Sequence, residues 1–281
     1  MSGETNYPMQ SFGGLRYEVI PLRGALAAAR DLPSASTVTV TSTPTKGLDA
    51  TIDMAERLQL EGYHAVPHLA ARLLASRAQL DELLEQLAEC DVSEVFVIGG
   101  DSATPVGEFN EALPVLRAIS EHRYRPERVG IAGYPERHAV IPDEATSSAL
   151  DEKSRYADYI VSQICYDANT IGTWVKSLRA REIDLPVYVG APGSVDMSKL
   201  LRISMKIGLG ESMRYLRKQH NVGKIVTGYA PTELFHELAP TLNDPEYNIA
   251  GWHLFTFNEV AKTRRWLEKM GHAGTAQEGT T

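Results

Sequence analysis

The stretch His64–Gly99, HAVPHLAARLLASRAQLDELLEQLAECDVSEVFVIG, contains the pattern that decides the fold. Its two ends, His64–Pro67 and Glu94–Gly99, are short runs rich in β-branched and apolar residues, which is typical of buried strands. Between them leucines recur at steps of three and four residues, which predicts a helix over Ala70–Cys90. A strand, a helix and a second strand in this order predict a parallel β-α-β unit.

The same alternation continues in both directions along the chain. Further strands are predicted over Leu15–Ile20, Thr37–Ser42, Arg128–Gly133, Asp158–Ile164, Pro186–Gly190 and Gly251–Phe257. Further helices are predicted over Glu111–His122, Thr170–Arg181 and Met197–His220, the last one broken at Gly208 and Gly210. Eight parallel strands match an α/β protein with a single closed (β/α)₈ (TIM) barrel. A Rossmann sheet is the alternative, but no GxGxxG follows an early strand.

Composition limits the class of protein further. The 281 residues are read as one barrel domain over 1–281, with the polar ends 1–13 and 271–281 expected to be flexible. The formal charge of −8 argues against a nucleic-acid or membrane-surface binder. No apolar run is long enough to span a bilayer and no signal peptide is recognisable, so a cytoplasmic location is expected. No metal site is predicted, because Pro67 separates His64 from His68 and no zinc-binding motif occurs.

Polar side chains occupy the predicted strand ends, which is where (β/α)₈ barrels carry their catalytic groups. They are Glu18, Thr41, His68, Asp101, Tyr134, Glu136, His138, Gln163, Tyr166, Asp167 and Asn258. Glu18 alternates with Tyr17 and Val19, which predicts that its carboxyl group faces the barrel lumen. A carboxylate in that place needs either a partner or a function, because burying a charge is costly.

Several of these residues also have a purely structural interpretation. Asp101 follows two glycines and is a common turn residue, while Asp167 would serve as the N-cap of the next helix. The chemistry that remains is narrower, because the sequence lacks the GxSxG nucleophile motif and the phosphate-binding P-loop. Neither Lys153 nor Lys224 falls clearly at a strand end, so a Schiff-base aldolase is a weak alternative.

In their order and spacing, seven segments resemble the strand-end motifs of the methylenetetrahydrofolate reductase family over nearly the whole chain. They are YEVIP, TVTVTS, AVPHL, IGGD, GYPERH, VSQICYD and HLFTFN. This family reduces the methylene bridge of methylenetetrahydrofolate to a methyl group, with hydride from NAD(P)H and ordinarily through bound FAD. By resemblance, Glu18 is the acid that protonates the departing ring nitrogen, which requires its pKa to be raised.

The resemblance also implies roles for other residues. Asp101 would act beside the reacting rings and would bind the substrate together with Gln163 and Tyr166. The implied cofactor-binding residues are Thr41, His68, Gly100, Tyr134, His138 and Lys153.

The flavin-binding positions depart from the family pattern. Gly99 stands where the family commonly has an arginine, and ATSSAL at 145–150 replaces a segment whose polar side chains hold FAD. Of that segment's basic residues only Lys153 aligns. Because losing a charged hydrogen-bond partner costs about 1.5–3 kcal/mol, several such losses would abolish tight FAD binding. The sequence therefore predicts a divergent member of the family in which NADH or NADPH gives its hydride directly, with FAD bound weakly or absent.

Two other functions fit the same residues. A folate-dependent one-carbon or methyl transferase without redox activity would keep Asp101 and Gln163, whereas a non-catalytic binding barrel would have no use for Glu18. Because folate and NADH are both anionic, we expect basic side chains around the mouth of the barrel. The alternative is that these basic residues form a solvated helix face. The candidates are Arg202, Lys206, Arg214, Arg217 and Lys218. A homo-oligomer is compatible with the sequence.

Overall fold

Eight parallel strands close into a barrel in the computed structural model, which describes residues 13–136, 141–206, 228–242 and 244–275. The strands are β1 (Gly14–Val19), β2 (Thr37–Val40), β3 (His64–Ala70), β4 (Glu94–Ile98), β5 (Arg128–Gly133), β6 (Tyr159–Ser162), β7 (Val187–Pro192) and β8 (Ile249–Phe255). Each strand pairs with the next one along the chain, and β8 pairs with β1. The predicted (β/α)₈ barrel is confirmed.

Helices between the strands cover the outside of the barrel. Those in the described part of the chain are α1 (Ala25–Ala29), α2 (Asp49–Leu60), α3 (Arg77–Glu89), α4 (Ala112–Ser120), α5 (Asp143–Ser154), α6 (Ala168–Ala180), α7 (Met197–Lys206), α8 (Thr232–Leu242) and α9 (Val260–Thr275). Several of them bury an apolar stripe against the strands, as α8 does where Phe235 stacks on Trp252 of β8 with 3.7 Å between ring centroids. None of the described helices has the length and apolarity needed to cross a membrane.

The predicted boundaries fail in one informative place, after β3. The helix expected from Ala70 begins at Arg77, because β3 runs through Ala70 and a short 3₁₀ turn follows at Ala71–Leu73. The N-terminus of α3 is set by Ser76, whose hydroxyl oxygen accepts a hydrogen bond from the Gln79 N–H at 3.2 Å. Leucine spacing alone therefore extended the helix across a boundary that a capping residue determines.

Other boundaries differ less. β7 continues to Pro192, β8 begins at Ile249, and α9 extends to Thr275, into the stretch that was expected to be flexible. The predicted break at Gly208 and Gly210 lies outside the described residues.

The buried apolar residues of the described part form three clusters, one of which is a small group that includes Ile164 and Val195. The largest cluster lies between strands and helices, and it includes Tyr17 and Val19 of β1. A smaller apolar cluster fills the lumen and consists of Val66, Phe96, Tyr159 and Val161. The ring of Tyr159 fits there because β5 carries Gly130, where an added Cβ would lie 2.2 Å from that ring. The polar residues of the lumen lie above and below this cluster.

Candidate active site

Glu18, the penultimate residue of β1, lies inside the barrel. It is 9% exposed, and its neighbours in register are Thr39 on β2 and Phe255 on β8. Because Tyr17 and Val19 belong to the outer core, strand alternation turns Glu18 inward as the sequence predicts. The side-chain carboxyl group of Glu18 therefore lies in the lumen, near the end of β1.

Two buried imidazoles flank the Glu18 carboxyl group. The Nε2 atom of His253 lies 3.1 Å from its Oε2 atom, and the Nε2 atom of His68 lies 3.8 Å from the same oxygen. Burial raises the pKa of Glu18 to about 7, although the charge that His68 would carry acts to lower it. Burial also lowers the pKa of His68 to about 4 and that of His253 to about 3. At neutral pH both histidines are therefore neutral, and a large fraction of Glu18 retains its proton.

Three buried polar atoms around this carboxyl group have no hydrogen-bond partner among the residues that the structure describes. They are His68 Nε2, His253 Nδ1 and Thr39 Oγ1. Buried polar atoms are nearly always hydrogen-bonded, and exceptions are often functional. Their concentration beside Glu18 favours a site for polar ligand groups at this level of the lumen.

A second cluster of polar side chains lies in the lumen near the amino ends of the strands, which we call the closed end. It was not predicted from the sequence. Arg16 donates hydrogen bonds to the Glu94 carboxylate and, at 3.0 Å, to the Tyr159 hydroxyl. Glu94 also contacts His64 at 2.8 Å and Arg128 at 3.4 Å. Burial alone would raise the pKa of Glu94, but these hydrogen bonds and the Arg16 charge lower it to about 2. Glu94 is therefore ionised at any physiological pH.

The loops after β4 and β5 bring Asp101 and Tyr134 close together at the carboxyl ends of the strands, which we call the open end of the barrel. Asp101 is exposed, and it follows Gly100, whose φ of 92° favours glycine. An added Cβ at Gly100 would also lie 3.1 Å from the Ala70 Cβ, so the loop approaches β3 closely. Burial and the nearby Asp101 charge raise the pKa of Tyr134. The structure thus brings together two residues that were predicted separately.

Gln163 follows β6 directly and is held by backbone groups of two other residues. Its N–H donates to the Gly133 carbonyl, and its Oε1 atom accepts a hydrogen bond from the Ile164 N–H, both at 2.8 Å. Because the carboxamide oxygen already accepts this hydrogen bond, the NH₂ group is the part of the side chain that can donate hydrogen bonds to a ligand.

The other residues of the β6 motif are more structural. Tyr166 is 3% exposed and packs edge-on against Tyr229, with ring centroids 5.6 Å apart. Asp167 is the N-cap of α6, as its structural interpretation predicts, and accepts hydrogen bonds from the N–H groups of Asn169 and Thr170. The substrate contact implied for Tyr166 stays a prediction.

The remaining predicted cofactor residues lie on different elements, and their role stays a prediction. Thr41 follows β2 at the open end and is half-buried, whereas His68 lies inside the lumen beside Glu18. Lys153 lies in the last turn of α5, where burial lowers its pKa and the Glu111 carboxylate partly offsets this. His138 lies outside the described residues.

Of the five basic candidates, only Arg202 has a described side chain. It is exposed on α7, as a solvated helix face would be. The side chain of Lys206 and the whole of Arg214, Arg217 and Lys218 are outside the described part.

At two places near the predicted flavin site, the described residues offer no cation that is free to bind FAD phosphate. Gly99 offers no side chain, and nothing lies within 4 Å of a Cβ built there. Arg72 lies in the 3₁₀ turn after β3. Its guanidinium donates hydrogen bonds to the backbone carbonyls of Ser102, Ala103 and Asn110 at 2.6, 2.7 and 3.1 Å. Neither position therefore supplies a guanidinium that is free to bind flavin phosphate.

The seam between β8 and β1 fixes the position of Glu18. Asn258 makes a pair of hydrogen bonds with Ile20, accepting from its N–H at 2.8 Å and donating to its carbonyl at 3.0 Å. The Thr256 hydroxyl donates to the backbone carbonyl of Glu18 at 2.6 Å. Asn258, predicted as a strand-end polar residue, thus has a structural role in this geometry.

A closed (β/α)₈ barrel with a proton-retaining carboxyl group near the carboxyl ends of its strands is an arrangement that suits acid–base chemistry. The particular family follows from comparison with known proteins. Residues 25–271 match the family model for methylenetetrahydrofolate reductase, and the chain belongs to that family.

Similar proteins agree with this assignment at low identity. The chain is 22% identical over 218 residues to "Methylenetetrahydrofolate reductase 2" of Saccharomyces cerevisiae, covering 72% of this chain and 36% of the yeast protein. It is 28% identical over 125 residues to "Methylenetetrahydrofolate reductase 1" of Schizosaccharomyces pombe, covering 41% of this chain and 20% of that protein. The chain thus spans about a third and about a fifth of the length of these two relatives.

Among solved structures, the chain is similar to an uncharacterised protein from Clostridium thermocellum that binds two copies of 5-methyl-5,6,7,8-tetrahydrofolic acid. The TM-score is 0.64 at 11% identity, covering 92% of this chain and 98% of that chain. At this identity the likeness supports the barrel fold.

Proposed function

We propose that this chain reduces methylenetetrahydrofolate to methyltetrahydrofolate, with NADH or NADPH as the hydride donor. The observation that carries the proposal is the Glu18 carboxyl group, which lies in the lumen between two neutral histidines with its pKa raised to about 7. The reaction needs a carboxylic acid that still holds its proton at neutral pH, and burial provides one. Membership of the reductase family supports the same reaction.

In the proposed reaction, Glu18 donates its proton to the ring nitrogen that leaves the methylene carbon. The carbon–nitrogen bond breaks, and the methylene group remains on the other nitrogen as an iminium ion. Hydride from the nicotinamide adds to the iminium carbon and completes the methyl group. One substrate, one NAD(P)H and one proton give methyltetrahydrofolate and NAD(P)⁺. Glu18 is left as a carboxylate that must regain a proton, and the His253 contact at 3.1 Å orients it meanwhile.

Binding of the two reactants is assigned to the open end of the barrel. Asp101 and the NH₂ group of Gln163 would bind the polar edge of the pterin. Tyr134, close to Asp101, would lie against the nicotinamide together with Thr41 and Gly100. His68 is assigned to the reacting end of the site because it contacts Glu18.

The proposal includes direct hydride transfer, without tightly bound FAD. Two observations support it: Gly99 has no side chain that could bind a flavin, and the Arg72 guanidinium already donates hydrogen bonds to backbone carbonyls. The two substrates would then occupy the site at the same time. We expect the purified protein to show no stoichiometric flavin absorbance, and steady-state kinetics to be sequential rather than ping-pong.

The experiment that tests the function is NADH oxidation with and without methylenetetrahydrofolate. We expect oxidation that depends on the folate, and we expect Glu18→Gln to reduce turnover at least about a hundredfold because the general acid is lost. Folate binding by that variant should persist. Glu152→Gln, which makes the same change in an exposed ion pair with Arg117, is the matched control and should keep full activity.

The outcomes also separate the alternative functions. Full activity in Glu18→Gln would remove Glu18 from the mechanism. Methyl or one-carbon transfer without NADH oxidation would favour the transferase instead, and folate binding without either reaction would favour a binding protein.

A further inference from the structure

The closed end of the lumen contains an ion pair where apolar side chains would suffice. The side chains of Arg16 and Glu94 are 3% and 0% exposed. Barrel interiors are ordinarily filled by branched apolar residues, and a buried ion pair seldom adds stability over such packing. The reductase chemistry proposed above gives this pair no role. Its position relative to Glu18 indicates one.

Arg16 lies on the same strand and the same face as Glu18, two residues earlier, which places the two backbones about 7 Å apart. It is also the register neighbour of His253, which contacts the Glu18 carboxyl group. After burial, the Arg16 charge is the next cause that lowers the pKa of His253, and it also lowers that of His68. Arg16 therefore lies close enough for its charge to reach both side chains that touch Glu18.

We propose that Glu94 is a positioning residue for the acid: it neutralises Arg16, so that no unpaired cation acts on Glu18 and Glu18 keeps its proton at neutral pH. The proposal rests on the proposed function in that Glu18 is taken as the acid. A buried cation without a partner would favour the carboxylate form and remove the proton that the reaction needs. Glu94 is suited to this task because it is fully buried and remains ionised.

The other groups that face this part of the lumen do not replace Glu94. The ring centroids of Tyr159 and Tyr188 lie 4.5 and 4.7 Å from the Arg16 guanidinium carbon, and burial raises the pKa of Tyr159, so that its hydroxyl is not an anion at neutral pH. Arg128 and His64 contact Glu94 but are 42% and 36% exposed, so solvent screens them. At the open end Asp101 is exposed and Tyr134 is neutral. Within the described chain, Glu94 is therefore the buried anion that offsets Arg16.

The test is the titration of the Glu18 carboxyl group in the ligand-free protein. It is followed by NMR of protein labelled with ¹³C at glutamate side-chain carboxyl carbons, and Glu18→Gln identifies the signal. The variants are Glu94→Gln, Arg16→Met and the double variant Arg16→Met/Glu94→Gln. Circular dichroism establishes that each is folded.

The two single variants should shift the Glu18 pKa in opposite directions, and the double variant should leave it unchanged. In Glu94→Gln we expect a fall of about one unit or more, a tenfold loss of proton affinity, because an unpaired charge acts through a low-dielectric interior. In Arg16→Met the Glu94 carboxylate is partly unpaired, so we expect a smaller rise. In the double variant the pair is uncharged, and the pKa should return to that of the unmodified protein.

A merely structural role for the pair would not produce shifts of opposite sign that cancel. The proposal is overturned if folded Glu94→Gln titrates like the unmodified protein, or if the double variant shifts as Glu94→Gln does. If Glu94→Gln does not fold, Arg16→Met decides, and a Glu18 pKa that stays or falls there contradicts the proposal. Because the titration needs no substrate, its result is independent of whether the protein oxidises NADH.

Discussion

At Glu18, burial removes the water that would stabilise a carboxylate, and the two nearest imidazoles are themselves too buried to become protonated at neutral pH. Desolvation therefore dominates over attraction to a cation, and the carboxyl group keeps its proton. The residue that makes the proposed chemistry possible is thus also one that costs the fold stability, since the folded state resists its ionisation.

This cost predicts a pH-dependent gain of stability in Glu18→Gln. The pKa of Glu18 is raised from 4.5 to about 7 on folding, so its contribution to stability is present below pH 4.5 and is lost as pH rises through 7. Glutamine does not titrate, so at about pH 8 the variant should gain about 3 kcal/mol relative to its difference at about pH 4. Urea unfolding at both pH values measures this. An equal difference at the two pH values would mean that the pKa of Glu18 is not raised.

At the scale of elements, the joint between β8 and β1 determines where the Glu18 carboxyl group lies. Thr256 and Asn258, just beyond the end of β8, hold the backbone of Glu18 and Ile20. Phe257 and Asn258 both have positive φ, at 49° and 63°, so the chain turns sharply there. Asparagine is among the residues that tolerate this conformation, and its side chain uses the turn to reach β1.

Replacing Asn258 should therefore affect both stability and catalysis. Asn258→Ala removes two hydrogen bonds and places alanine at a φ of 63°, which should lower the free energy of unfolding by about 2–3 kcal/mol. It should also lower kcat several-fold, because β1 is less firmly placed. Asn248→Ala is the matched control: Asn248 also has positive φ, bonds to the Asp184 carbonyl and precedes β8 at the closed end. Equal kcat losses in the two variants would contradict a local role for the seam.

The elements also show what the sequence can predict. The runs that predict strands are short and local, so the sequence alone predicts where each strand lies along the chain. The inward direction of Glu18 likewise follows from its neighbours Tyr17 and Val19. His253 was not singled out as its partner because the two are 235 residues apart, and only the closed barrel makes them neighbours. The Arg16–Glu94 pair was missed for the same reason, because its two residues are 78 positions apart in the sequence.

At the scale of the whole molecule, the lumen is divided into layers with different tasks. The closed end holds the Arg16–Glu94 pair, an apolar and aromatic cluster follows it, and the Glu18 carboxyl group lies toward the open end. Asp101, Tyr134 and Gln163 lie on the loops around that opening. In the described part of the chain, one proton-retaining acid and several polar groups thus lie toward the same end of the barrel, as the proposed reaction requires.

The central claim, that hydride passes directly from the nicotinamide to the folate, is tested most directly with NADH that carries deuterium at its transferable position. The product is analysed by mass spectrometry after turnover in ordinary water, and in a second arm with unlabelled NADH in heavy water. We predict one deuterium in the methyl group in the first arm and none in the second. A hydride that rested on a flavin nitrogen would exchange with solvent. Methyltetrahydrofolate whose new hydrogen comes from water would contradict direct transfer, and the absence of methyltetrahydrofolate would contradict the reductase function itself.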